Sequence, residues 1–143
     1  LWSIYLIVTL GLLVRFATNL IKISRKIISN PSEKVQNATL ILLTEKVLPH
    51  TFLHYIFINK DDYKNRKIEI ELYTHELTHV NQKHTLDILL IELMKTIFWF
   101  NPLLFLYKKA IQLNHEFLAD QSVVHSYNNV PFYQNLLLEK ASW

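Results

Sequence analysis

With 143 residues and a formal net charge of +3, the chain is one domain's worth of sequence, and it is too mildly basic to call for a nucleic-acid partner. It contains no cysteine, which excludes disulfides and thiolate metal sites and leaves His, Glu and Asp as metal ligands. One glycine and four prolines are too little turn material for an all-β protein, so composition predicts a mainly α fold with a small β element.

The chain opens on Leu1 without an initiator Met and closes at Trp143 within a helical pattern, so it reads as part of a longer protein. Leu1 to Leu13 are almost all apolar, and apolar residues continue to Ile23 past Arg15 and Asn19. About 20 uninterrupted apolar residues make a membrane span. This run is shorter, and it reads either as a transmembrane helix with a basic juxtamembrane segment over residues 1–29 or as a buried or amphipathic soluble helix. A signal peptide fits less well, because Arg15, Lys22, Arg25 and Lys26 follow the apolar run instead of preceding it. Under the positive-inside rule they place the downstream side in the cytoplasm.

Asn30-Pro31 marks a boundary, and residues 30–143 read as the second unit. Thr39 to Leu43 is β-branched and apolar, a short strand, and Phe52 to Ile58 is a second one after the break at Pro49. Asn59-Lys60-Asp61-Asp62 supplies turn and N-cap chemistry for a helix over Tyr63 to His84. Ile68 to Leu72 alternates like a strand, but Ile68, Leu72, His75, His79 and Gln82 line up at helical spacing, and no breaker intervenes.

Leu86 to Tyr107 is a second apolar block carrying Asp87, Glu92 and Lys95, the last two spaced to pair on one helix face. Asn101-Pro102 is a helix start, so the block divides into helices over Thr85 to Phe100 and Pro102 to His125. The first of these reads equally as membrane-embedded or as an apolar core helix. Ser126 to Val130 is a loop, and Pro131 starts a last helix through Lys140.

The chemistry lies in Thr74-His75-Glu76-Leu77-Thr78-His79, an H-E-x-x-H pattern. On a helix His75 and His79 are rotated by only about 40°, so both imidazoles reach one ion, while Glu76 sits about 100° from His75, beside the ion. Glu116 and Asp120 are four apart on the helix that Asn101-Pro102 starts, with Leu113, Phe117 and Val124 expected to be buried beside them. A carboxylate pair on an apolar face needs a cation or a donor. Zn²⁺, one per chain, on His75, His79 and Glu116 is such a cation, with Asp120 accepting the free N–H of a ligand histidine. Zinc-activated water would then attack a peptide carbonyl with Glu76 as the base. His84, expected half a turn around from His75, and His115 are not read as ligands. His50 and His54 read as strand or loop residues. His125 and the hydroxyls of Tyr73, Tyr127 and Tyr133 are candidate transition-state donors.

His75-Glu76-Leu77-Thr78-His79, Trp99-Phe100-Asn101-Pro102 and Glu116-Phe117-Leu118-Ala119-Asp120, in that order, resemble the BlaR/MecR-type membrane zinc metallopeptidases, over residues 39 to 140. The resemblance implies a gluzincin-like fold with membrane-associated helices, zinc on His75, His79 and Glu116, and Glu76 as the catalytic carboxylate. It also implies a protease domain facing the cytoplasm from a bacterial inner membrane. Its partners would be membrane lipid and a protein or peptide substrate, a transcriptional repressor or the protein itself, in regulatory proteolysis. Leu48 to Ile58 resembles the strand region where substrate backbone adds as an extra strand. Asn114-His115 replace an Arg common in relatives before E-x-x-x-D, and the residues at hand imply no β-lactam trigger. Two other readings share the motifs: a non-catalytic signalling module that keeps the zinc site, and a quality-control protease of the HtpX type.

Overall fold

The structure, a computed structural model, describes residues 2–141. Helix α1 (Trp2–Ser29) runs unbroken for 28 residues and is, among the described residues, the one helix long and apolar enough to cross a membrane. Its C-terminal end belongs to the folded body. Ile23 and Ile27 pack against Ile41, Leu43 and Phe57 of the sheet, and Lys26 pairs with Glu45 at 3.5 Å.

Four strands follow: β1 (Ser32–Val35), β2 (Ala38–Leu43), β3 (His50–Phe52) and β4 (Tyr55–Asn59), in the spatial order β1-β2-β4-β3. β2 and β4 run parallel at the centre, and each has an antiparallel neighbour outside it. Side chains alternate across the two faces. Ala38, Leu40, Leu42, Ile56 and Ile58 pack toward α3, and Ile41, Leu43 and Phe57 pack toward α1. Burial on both faces explains why β2 reads as a continuous apolar run, and each of its large side chains contributes about 1.5–3 kcal/mol on transfer from water.

Two sequence expectations need correction here. Phe52 to Ile58 is not one strand, because the chain reverses at Leu53-His54, with Leu53 in the left-handed region at φ 55°. β1 was not foreseen, since its solvent-facing Ser-Glu-Lys carries no apolar alternation.

The helix expected over Tyr63 to His84 is broken into three elements. Asn59 caps α2 (Lys60–Lys64), its Oδ1 accepting from the N–H groups of Asp61 and Asp62 at 3.0 Å. Arg66 then turns left-handed at φ 53°, and the Lys67 N–H returns to the Asp62 carbonyl at 2.9 Å, ending that helix. Ile68 therefore lies outside α3 (Ile70–Asn81) and packs against the sheet from the preceding segment. A second left-handed residue, Lys83 at φ 56°, starts α4 (His84–Ile97) in a new direction.

α4 stops at Ile97, short of the expected Phe100. Asn101 Oδ1 accepts the Leu103 N–H at 3.0 Å and so opens α5 (Leu103–Tyr127), as its side chain predicts. α5 returns antiparallel past α4 to lie on α3. Helix α6 (Val130–Ala141) closes over it, burying Tyr133 and Leu136 with Val123. Leu113 and Phe117, expected to be buried, are 62% and 64% exposed, because α5 turns that face outward.

Candidate metal centre

α3 is anchored in the sheet by Tyr73, Leu77 and Val80, which turns the His75–Glu76–His79 side toward α5. The Nε2 atoms of His75 and His79 lie 3.1 Å apart. Glu116, on α5, places Oε2 3.3 Å from His75 Nε2 and Oε1 3.6 Å from His79 Nε2. A tetrahedral ion with N and O ligands at about 2.0–2.1 Å separates neighbouring ligand atoms by about 3.3 Å. The triangle has that size, and these three residues can hold one ion.

The far sides of both imidazoles fix which nitrogen is bare. His75 Nδ1 lies 3.0 Å from Asp120 Oδ1 and 2.9 Å from the Tyr133 hydroxyl, which itself donates to Asp120 at 2.8 Å. A carboxylate there requires the proton on Nδ1. His79 Nδ1 lies 2.7 Å from His84 Nδ1, and His84 Nε2 lies 2.9 Å from Gln82 Oε1. With His84 donating to the Gln82 carbonyl oxygen, its Nδ1 is the acceptor for His79 Nδ1–H. Both Nε2 lone pairs then converge on one point beside a carboxylate, an arrangement that only a cation or a proton relieves.

The titration behaviour agrees with this geometry. Burial holds His79 in its neutral form, lowering its pKa to about 4, with the neighbouring His75 adding to the effect. Burial also disfavours the charged form of His75, but the Glu116 hydrogen bond and the charges of Glu76, Glu116 and Asp120 outweigh it and raise its pKa. Glu116 is held below the usual carboxylate range, mainly by His75. Glu76 is 7% exposed, and burial raises its pKa although the Thr51 hydroxyl, 2.7 Å from Oε2, opposes the shift.

Beside the triangle runs a cleft of about 380 Å³ lined by Thr51, Glu76, His84, Gln112, His115 and Glu116, among others. None of the three candidate tyrosines lines it. Tyr133 is bonded behind His75, Tyr127 pairs with Thr74 at 2.8 Å, and Tyr73 packs into the sheet core. His125 lies on α5 outside the cleft, and the His54 ring lies tilted against Tyr55 at the β3–β4 turn. His50, on β3, stacks on Phe57 and lines the cleft.

Two residues of the site, His84 and Thr51, escaped the sequence reading. His84 was placed half a turn from His75 on a continuous helix, but the break at Lys83 swings it onto His79. His115, read as a non-ligand, is buried, stacks on His84 at 3.9 Å and bonds Asp87 at 3.0 Å, which makes it packing behind the His84–His79 pair. Thr51 depends on where β3 docks, for which the sequence carries no local signal.

A family model described as BlaR1 peptidase M56 matches residues 51–140, more than half of the chain. Its matched stretch begins at Thr51 and includes all three corners of the triangle. Comparison with curated proteins gives no match.

Proposed function

The chain belongs to the BlaR1 peptidase M56 family, and from that premise we propose that it is a membrane-anchored zinc endopeptidase acting in regulatory proteolysis. The observation that carries this reading is the His75–His79–Glu116 triangle, sized for one ion, with the buried Glu76 in the same cleft. His75, His79 and Glu116 would hold the zinc. Bound there, zinc supplies Lewis-acid polarisation of the peptide carbonyl and acidifies water.

The chain's own residues do the rest. Glu76, oriented by Thr51, takes a proton from water at its carboxylate and passes it to the leaving amine. Asp120 and His84 hold the two imidazoles with Nε2 toward the cleft. β3 is the terminal strand of its sheet and borders the cleft through His50 and Thr51, so an extended substrate backbone can add to its outer edge. The basic residues after the apolar part of α1 support a catalytic body on the cytoplasmic side of a bacterial inner membrane. A protein substrate on that side, a transcriptional repressor or the chain itself, fits regulatory proteolysis.

The test is zinc content together with proteolysis for the unaltered chain, Glu76→Gln and Glu116→Ala. Glu76→Gln should retain zinc and lose cleavage by at least about 10²-fold, while Glu116→Ala should lose zinc. Cleavage by Glu76→Gln at the normal rate would remove Glu76 as the base.

A further inference from the structure

The end of the molecule away from the sheet is apolar over two adjoining pieces of chain. On α1, Trp2, Ile7, Leu10 and Val14 are all more than half exposed, and at the α4–α5 turn so are Phe100, Phe105, Leu106 and Tyr107. The pieces form one lobe. The Tyr5 hydroxyl donates to the Ile97 carbonyl at 2.9 Å, satisfying one of the carbonyls left open where α4 ends, and the Tyr5 and Phe100 rings meet edge to face.

Two further features suit hydrocarbon better than water. Part of the turn's polar backbone is bonded within the turn: Phe98 N–H donates to Met94 O, Asn101 N–H to Phe98 O, and Leu103 N–H to the Asn101 side chain, while Pro102 has no N–H to satisfy. Backbone inside a bilayer needs such internal partners. The charges are also sorted. No Asp, Glu, Lys or Arg occurs from Trp2 to Val14 or from Thr96 to Tyr107. At the border of the lobe Glu92 is neutralised by Lys95 and Lys108, and Lys95 lies over the Phe105 ring at 4.6 Å. Arg15 and Lys109 leave a basic collar.

We propose that the α4–α5 turn, residues 97–107, is a re-entrant element that inserts beside α1 into one leaflet of an anionic phospholipid bilayer. Arg15, Lys108 and Lys109 then lie at the head groups. From Phe100 back to Lys95 or on to Lys108 is five to eight residues, roughly 8–12 Å along a helix, against a hydrocarbon core of about 30 Å. The hairpin dips into the bilayer and does not cross it. Acidic lipid complements the collar, and continuity with the exposed apolar residues of α1 that precede Arg15 favours lipid over a protein partner on the same face. The inference rests on the membrane-anchored part of the proposed function and is independent of its catalytic part.

The absence of native cysteine permits single-site labelling. Leu106→Cys, Leu10→Cys and Ser126→Cys, each at an exposed position, would carry a nitrobenzoxadiazole label on the full chain in vesicles of phosphatidylcholine with phosphatidylglycerol. The expected result is that the label at 106 is quenched by nitroxide lipids as strongly as the label at 10 and is shielded from aqueous iodide, whereas the label at 126 shows the reverse. Iodide quenching at 106 equal to that at 126 would overturn the proposal. So would shielding at 106 from both quenchers, which would mean that protein covers the turn. The label at 10 separates the two ideas: if it too is wet, the anchoring reading fails along with the hairpin.

Discussion

The Nδ1 atoms of His79 and His84 lie 2.7 Å apart, so one imidazole of the candidate site is oriented by a second imidazole where a carboxylate orients the other one. Only one of the two Nδ1 atoms can carry the proton, and the Gln82 contact assigns it to His79. His84→Ala should therefore weaken zinc binding by about 10–100-fold, the usual cost of losing such a support. Chelator competition checks this, and an unchanged dissociation constant would remove His84 from the site.

Thr51 donates to Glu76 Oε2 and thereby favours the ionised carboxylate. Thr51→Val should leave zinc content unaltered, lower kcat/KM by about tenfold and move the acidic limb of the pH–rate profile upward. The upward direction follows because the lost bond had lowered the Glu76 pKa. A downward or absent movement contradicts the assignment.

In the metal-free protein the raised pKa of Glu76 links stability to pH. The neutral form suits the folded state, so its contribution is fully present below the unfolded value, near 4.5, and is lost as pH rises through the raised folded value. Glu76→Gln removes that loss. Its thermal midpoint without metal should exceed that of the unaltered chain at neutral pH, by about 0.5–2 kcal/mol in stability, and the gain should vanish in acid.

His75 has the opposite character to His79, its proton being favoured by the surrounding carboxylates. Zinc bound there as proposed would have to displace that proton. Apparent affinity should fall about tenfold per pH unit once the pH drops below the raised His75 pKa, and should level off above it. Isothermal titration in buffers of different ionisation enthalpy would count the released proton.

The five residues from His75 to His79 were legible because helical spacing fixes their geometry locally, and Asn59 and Asn101 announced their caps through short-range chemistry. The same holds for the apolar run of β2. What the sequence concealed were the reversals. Gln36, Leu53, Arg66, Lys83 and Asn128 all adopt positive φ, and none is glycine, while the one glycine, Gly11, sits inside α1. A reader who looks for turns by glycine finds none where they occur. That is why α2 and α3 merged on paper, why β3 and β4 appeared as one strand, and why His84 was sent to the wrong side. Thr51 was hidden for a different reason: its partner is 25 residues away, and their meeting is set by packing.

Those left-handed residues give one more measurable expectation. Arg66 is exposed at φ 53°, a conformation that costs a residue with a Cβ about 1–2 kcal/mol. Arg66→Gly should thus gain up to about 1 kcal/mol despite glycine's greater chain entropy. A loss of stability in denaturant titration would show that the Arg66 side chain contributes more than its backbone costs.

α5 is an unbroken rod of 25 residues that carries Tyr107 near one end and Glu116 nine residues further on, roughly 14 Å away along the axis. With the lobe seated in lipid as proposed, one rigid lever would serve two equilibria, that seating and closure of the third corner around a cation. Linkage makes such coupling reciprocal: a lipid environment that shifts α5 toward α3 tightens the ion, and the ion tightens the lobe's hold on that lipid by the same factor. Lipid composition would then act as an effector of the site, through no machinery other than the stiffness of one helix.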